Sequence, residues 1–220
     1  MDNVQIVAEN GAMGRRNEHT QEQQREMALA AAELLIVKEG LAGFSMRKVA
    51  QAIGYTVGNL YLLFANQDDL IAAINERTAD AMHTFLQDAC EPHTDPRERL
   101  RAMGSAYIDF AQRHPHRFRL LFEHQLPADM QPRHSTDVRL KRLFDLVERN
   151  LAALKSFKPD ALRAAAAALW SAVHGVCLLT VSGKLKWSGL GDLRDLSDGV
   201  VDILLNGLGA AEKPRRTAKG

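Results

Sequence analysis

A tight glycine turn between two short helical patterns, in the stretch FSMRKVAQAIGYTVGNLYLLFANQDDL from Phe44 to Leu70, restricts this chain more than any other feature. Ser45 is a strong N-cap residue, and Met46, Val49, Ala50 and Ile53 recur on one helical face behind it. Gly54 stands where a helix ends on a residue free to take positive φ. Thr56 offers a second N-cap two residues later. Val57, Leu60, Tyr61 and Phe64 then supply the inward and flanking positions of a second helix of little more than two turns. So short a connection forces a sharp crossing, and the stretch reads as a helix-turn-helix.

The rest of the chain follows the same helical period. A helix is expected from Thr20 to Glu39, with Met27, Ala31, Leu34, Leu35 and Lys38 along one side and Gly40 past its end, packing behind the two short helices through Leu34, Leu41 and Phe44. A long helix starts near Asn66, with Asp68 and Asp69 where the helix dipole favours negative charge. It carries the stripe Leu70, Ile71, Ile74, Met82 and Phe85 as far as about Ala89. The segment CEPHTD, residues 90–95, breaks the pattern and marks a boundary. Pro96 opens a helix to about Arg113 with Leu100, Met103, Tyr107 and Phe110 inward, and a short helix follows with Phe118, Leu121 and Phe122. Pro127 and Pro132 impose a loop over 126–134, and the helical period resumes over 138–154.

The helix over 160–186 is the most apolar. Leu162, Ala166, Leu169, Val173, Val176 and Thr180 form one row, and Trp170, His174, Cys177 and Val181 a second. A helix with two apolar rows needs two burial partners. The last helix repeats Leu193, Leu196, Val200, Ile203 or Leu204, and Leu208, so one row can face the subunit's own core and the other a second copy of the chain. The reading is all-α: a flexible arm over 1–19 (with Arg15 and Arg16 its only cations), a three-helix domain over 20–66, a larger helical domain over 67–210 and a disordered tail over 211–220.

Composition narrows the chemistry. No apolar run approaches the length needed to span a bilayer and no secretory leader is visible, so a cytoplasmic protein without a membrane is expected. Two cysteines, Cys90 and Cys177, are too few for a disulfide framework or a four-thiolate zinc site. His114, His116 and His124 read as surface or cap residues; Cys90 and His93 have a spacing that metal sites use but lack a second pair of ligands, and no metal or cofactor is expected. There is no glycine-rich phosphate loop, no HExxH and no Gly-x-Ser-x-Gly elbow, so an enzyme has little to stand on.

Ser45, Arg47, Val49, Ala50 and Gly54, then Gly58, Leu60, Tyr61 and Phe64, followed by the Asn66-x-Asp68-Asp69-Leu70 start of the next helix, resemble the DNA-binding domain of the tetracycline-repressor (TetR) family. In the C-terminal half, HPHRFRLLFEHQLP and the spacing of Trp170, His174 and Gly175 resemble a TetR subgroup named for a Trp-His-Gly triplet. The resemblance implies a homodimeric transcriptional regulator that binds a double-stranded operator and releases it when a small hydrophobic or amphipathic inducer enters the C-terminal domain.

Carried over residue by residue, the resemblance makes Arg47 the candidate to read a guanine, since its fork matches O6 and N7. Asn59 becomes a reader of adenine or a phosphate holder, Tyr61 a phosphate donor, and Thr56 a positioning residue. Gly58 lets the helix lie close to DNA. Val57, Leu62 and Gln67 depart from the family's commoner polar or basic residues, and Leu62 with Leu63 can meet thymine methyls or enter the core. Tyr107, Phe110, Phe118, Phe122, Trp170, His174 and Cys177 are the candidate ligand-binding set. Through residue 64, Arg15, Arg16, Arg25, Lys38, Arg47 and Lys48 face Asp2, Glu9, Glu18, Glu22, Glu26, Glu33 and Glu39. So neutral a head implies weak non-specific DNA binding. It keeps a second reading open: a helical dimer that binds a ligand or partner and has little DNA binding of its own.

Overall fold

The computed structural model describes residues 19–124, 134–154, 159–185, 187, 189 and 193–211. Of the expected arm over 1–19, proline loop over 126–134 and tail over 211–220, residues 1–18, 126–133 and 212–220 lie outside the described residues, while His134 opens a helix and Ala211 ends one. The chain divides into two compact units between Ala73 and Ile74.

The first unit contains α1 (Gln21–Glu39), α2 (Met46–Ile53), α3 (Val57–Leu63) and the start of α4 (Gln67–Cys90). Local chemistry fixes its helix ends. Thr20 and Gln23 form a reciprocal capping box at the start of α1. The Ser45 hydroxyl accepts from the Lys48 amide, and Gly54 closes α2 at φ 74°, ψ 23°, a left-handed conformation that costs a side-chain-bearing residue energy. Thr56 caps α3 by accepting from the Asn59 amide. At α4, Asn66 Oδ1 accepts from the Asp69 amide at 2.9 Å while the Asp69 carboxylate accepts from the Ala65 amide at 2.8 Å.

The core of this unit is Leu29, Ile36, Phe44, Met46, Val49, Leu60 and Phe64, with Ala28, Ala32 and Ala50 at the closest approaches. The expected scaffold contacts need correction: Leu34 is 61% exposed and Leu41 is also on the surface. The buried row of α1 is Ala28, Leu29, Ala32 and Ile36, one residue away from the row Met27, Ala31, Leu34 and Leu35. One residue is about 100° of helix rotation. The two alanines in the observed row let α2 and α3 come close, which a row of leucines would prevent.

The second unit contains the rest of α4 and α5 (Pro96–Arg113), α6 (Pro115–Glu123), α7 (His134–Ala153), α8 (Pro159–Val181) and α9 (Leu193–Ala211). Asp95 caps α5 ahead of Pro96. α5 is the central element, packing on α6, α7, α8 and α9. It comes close to α9 at Gly104, where an added Cβ would stand 2.7 Å from Ser197 Oγ. Arg101 grips Asp202 through both carboxylate oxygens at 2.7 and 2.8 Å, and Arg194 binds Asp109 at 2.8 Å, so ion pairs flank that contact. The fully buried positions of α9 include Val201 and Leu205, neither of them in the expected row, while Ile203 is 73% exposed.

α8 ends at Val181 rather than near Lys186, stopping in a turn with Gly183 at φ 70°. Over Ala161–Val181 it is also long and apolar enough to cross a membrane, which corrects the expectation that no such run exists. The apolarity has a local cause, because α8 packs on α5, α7 and α9 at once. Only 28% of that stretch is buried within the single chain.

Candidate nucleic-acid interface and ligand cavity

α3 divides its residues cleanly. Leu60 and Phe64 face inward and are essentially inaccessible, whereas Tyr61 is 53% and Leu62 77% exposed. Leu62 is therefore not core. Val57 and Asn59 are half-buried, Gly58 and Thr56 are exposed, and Arg47 is exposed on α2. Gln67, in the first turn of α4, is half-buried. A Cβ on Gly58 would meet only Thr56 Oγ1, at 3.8 Å, so nothing within the chain requires a glycine there.

The Thr56 hydroxyl accepts from the Asn59 amide at 3.3 Å and donates to the Asn59 side-chain oxygen. The carboxamide is thereby oriented with its NH2 as the available end. Two-point reading of adenine needs both ends, so Asn59 reads adenine only if the Thr56 bond breaks.

Sequence reasoning missed Arg25. Its guanidinium donates to the Leu63 carbonyl at 3.2 Å and lies 4.5 Å from the centre of the Phe64 ring, so α1 holds the C-terminal end of α3 by a cap and a cation–π contact together. An arginine two residues past a capping box carries no motif, and its role depends on how α1 and α3 cross. Lys48 is likewise engaged, with Glu39 and with the Gly43 carbonyl at 2.7 Å.

In the second unit, α5, α6 and α8 bring Tyr107, Phe118, Phe122, Trp170 and His174 into one aromatic cluster. The Trp170 and His174 rings stack at 4.8 Å with an 18° tilt, and Phe122 meets His174 edge-on at 4.7 Å. Phe118 touches both Tyr107 and Phe122. Tyr107 Oη and His174 Nδ1 share a hydrogen bond of 2.8 Å. Burial pushes the tyrosine phenol well above its ordinary range and the histidine below its own, so both are neutral at pH 7. Cys177 lies beneath, buried, with its thiol pushed up to about 12 by burial. It behaves as an apolar group.

Phe110 departs from this set. It packs against Phe85 and His114, with ring centres 5.9 and 5.0 Å away. On α5 it lies three residues past Tyr107, enough rotation to direct it at α4 instead of α8.

Beside the cluster is a cavity of about 40 Å³, lined almost wholly by apolar groups, including Leu86, Met103, Tyr107, Val147, Trp170 and Val173. That is room for one or two waters, about one per ~30 Å³. A larger guest requires the helices to part. Among the described residues no group of three His, Cys, Asp or Glu comes together as metal ligands.

Comparison with known proteins follows the same division. A family model described as "Bacterial regulatory proteins, tetR family" matches residues 28–74, and one described as "Tetracyclin repressor-like, C-terminal domain" matches residues 100–204. The chain is 28% identical to the HTH-type transcriptional activator FasR of Mycolicibacterium smegmatis over 144 residues, 64% of this chain and 66% of FasR. It spans slightly less than two thirds of the curated relatives it matches. Among solved structures, a Rhodococcus sp. RHA1 protein of unknown function superposes with a TM-score of 0.75 at 22% identity, over 89% of this chain and 99% of that one. FadR from Bacillus subtilis, in complex with stearoyl-CoA, superposes with a TM-score of 0.62 at 18% identity, over 83% of this chain and 98% of FadR.

Proposed function

Since the chain belongs to the TetR family, we propose that it is a cytoplasmic, homodimeric regulator of transcription that binds a specific DNA operator through its first unit and is released by a ligand held in the second. One observation carries this reading: α3 buries Leu60 and Phe64 and turns Gly58, Tyr61 and Leu62 outward, beside the exposed Arg47. An 8-residue helix and a 7-residue helix crossing at Gly54 supply the geometry of a major-groove reader.

In this proposal Arg47 reads a guanine and Tyr61 donates to a backbone phosphate. Thr56 and Gln67 position the helix ends. Asn59 acts as a donor, because Thr56 holds its oxygen. Val57 and Leu62 offer apolar contact to bases, and Gly58 leaves room for the DNA backbone.

The ligand is hydrophobic or amphipathic, a reading supported by the apolar cavity that Tyr107 and Trp170 line, although Phe118, Phe122, His174 and Cys177 are not part of its wall. FadR, a structure of the same fold, holds an acyl thioester, and an acyl chain is the ligand class we favour here. The present cavity is far too small for a long chain, so the ligand must prefer an opened arrangement. That preference is what allows it to shift the protein between states. Membership of the Trp-His-Gly subgroup rests on Trp170, His174 and Gly175 alone and is part of the same proposal.

Selection of duplexes from a random pool by the full-length protein tests this function. The expected product is an inverted repeat with half-sites about one helical turn apart, roughly 34–36 Å. Failure to enrich any duplex at low salt favours the alternative, a dimeric module that binds a ligand or partner without DNA; the near-neutral head is the observation on that side.

A further inference from the structure

α4, α5 and α7 enclose a groove of about 800 Å³ that is separate from the aromatic cluster. Its polar lining includes His83 and Gln87 from α4, Arg99 from α5, and Arg142, Glu148 and Arg149 from α7. The size is that of a small-molecule site.

Its charges do not cancel. Asp145 also lines the groove, but both of its oxygens accept from Lys141 Nζ at 2.9 Å. Arg142 is committed to Asp80 at 3.2 Å. Arg99, whose side chain also reaches the Cys90 thiol, and Arg149 are left against Glu148 as the one other carboxylate in the groove's lining. Arg149 uses its Nε on the Asp145 carbonyl, at 3.2 Å. Arg99 Nε is buried with no hydrogen-bond partner, a condition that native folds rarely leave without a use. His83 reports the resulting field: burial lowers its pKa first, Arg142 and Arg149 lower it further, and Asp80 opposes them.

We infer that this groove is an anion site for a phosphate-bearing small molecule, with the guanidinium groups of Arg99 and Arg149 on the phosphate oxygens and His83 and Gln87 as neutral partners. Guanidinium presents a planar fork that matches phosphate and, unlike an ammonium, tolerates partial burial. The groove shares its helices with the apolar cavity through adjacent residues: Leu86 beside Gln87, Leu100 beside Arg99, and Leu143 beside Arg142. An anion drawing α5 and α7 together therefore acts on the cavity's walls. The inference stands apart from DNA binding, since it uses only the second unit.

Calorimetric titration of the full-length protein with inorganic pyrophosphate, ADP and coenzyme A tests it, with Arg149→Ala as the variant and Arg163→Ala, on the exposed side of α8, as the control. Arg149 is exposed, so its loss leaves the core intact. At least one of the three probes is expected to bind, about tenfold more weakly to Arg149→Ala, as befits one charge-assisted bond, and equally well to Arg163→Ala. Pyrophosphate binding identifies the phosphate as sufficient; binding of ADP or coenzyme A alone identifies a phosphate carried on a larger body. No binding by any probe, or equal affinity in Arg149→Ala and the unaltered protein, overturns the inference.

Discussion

At Gly58 the fold's interest and the proposed function's interest oppose each other. A glycine inside a helix costs roughly 0.5–1 kcal/mol relative to alanine, and the space around this one is open. Gly58→Ala is therefore expected to stabilise the protein by about that amount in chemical denaturation while weakening duplex binding; if binding is untouched, the helix does not approach DNA there. His174 makes a second prediction, in pH. Burial holds its imidazole neutral and its folded pKa below the ordinary 6.5, so the unfolded chain takes up the proton first. Its contribution to stability is full above pH 6.5 and is lost as the pH falls through the lowered value. Urea unfolding at pH 7.5 and 5.5 should show a loss that shrinks in His174→Phe, and an identical pH dependence in both proteins would refute the buried neutral role. Because His83 and His114 are also lowered, the comparison rests on the difference between the two proteins.

At the level of single elements, helix ends were readable in the sequence and helix faces less so. Ser45, Gly54, Thr56 and Pro96 each act through their own backbone neighbourhood, and each sits in the structure where its chemistry demands. Removing the α3 cap with Thr56→Ala should cost about 1 kcal/mol by denaturation. The same change frees the Asn59 carboxamide, so sequence preference among duplexes should alter as well; a pure stability loss would separate the cap from recognition. The buried face of α1 was misread because two apolar rows one residue apart look alike until α2 and α3 select the one with small residues. Phe110 was misplaced for a similar reason, since burial alone does not tell which neighbouring helix a ring meets. The aromatic cluster was legible as residue types, but the Tyr107–His174 bond joins residues 67 apart and needs the packing of α5 on α8. Arg25 had no local signature at all.

For the whole molecule, the account requires two copies. Leu179 on α8 and Ile203 on α9 are exposed apolar residues, and the stretch Ala161–Val181 buries only 28% of itself in one chain. Ile203→Lys should convert a dimer to a monomer in light scattering while the helical content stays constant; an unchanged mass would place the seam elsewhere. The head's charge sets the salt dependence of binding. With Lys48 on Glu39 and Arg25 on Phe64, few described cations remain for phosphates, so counterion release on DNA binding should be small. The most direct test is a salt titration of binding to a selected duplex, comparing the unaltered protein with Arg47→Ala. The account predicts specific binding with a shallow salt slope, weakened by about 1–3 kcal/mol in the variant with lost preference at one base pair. Equal affinity of the two proteins for that duplex at every salt concentration would contradict it.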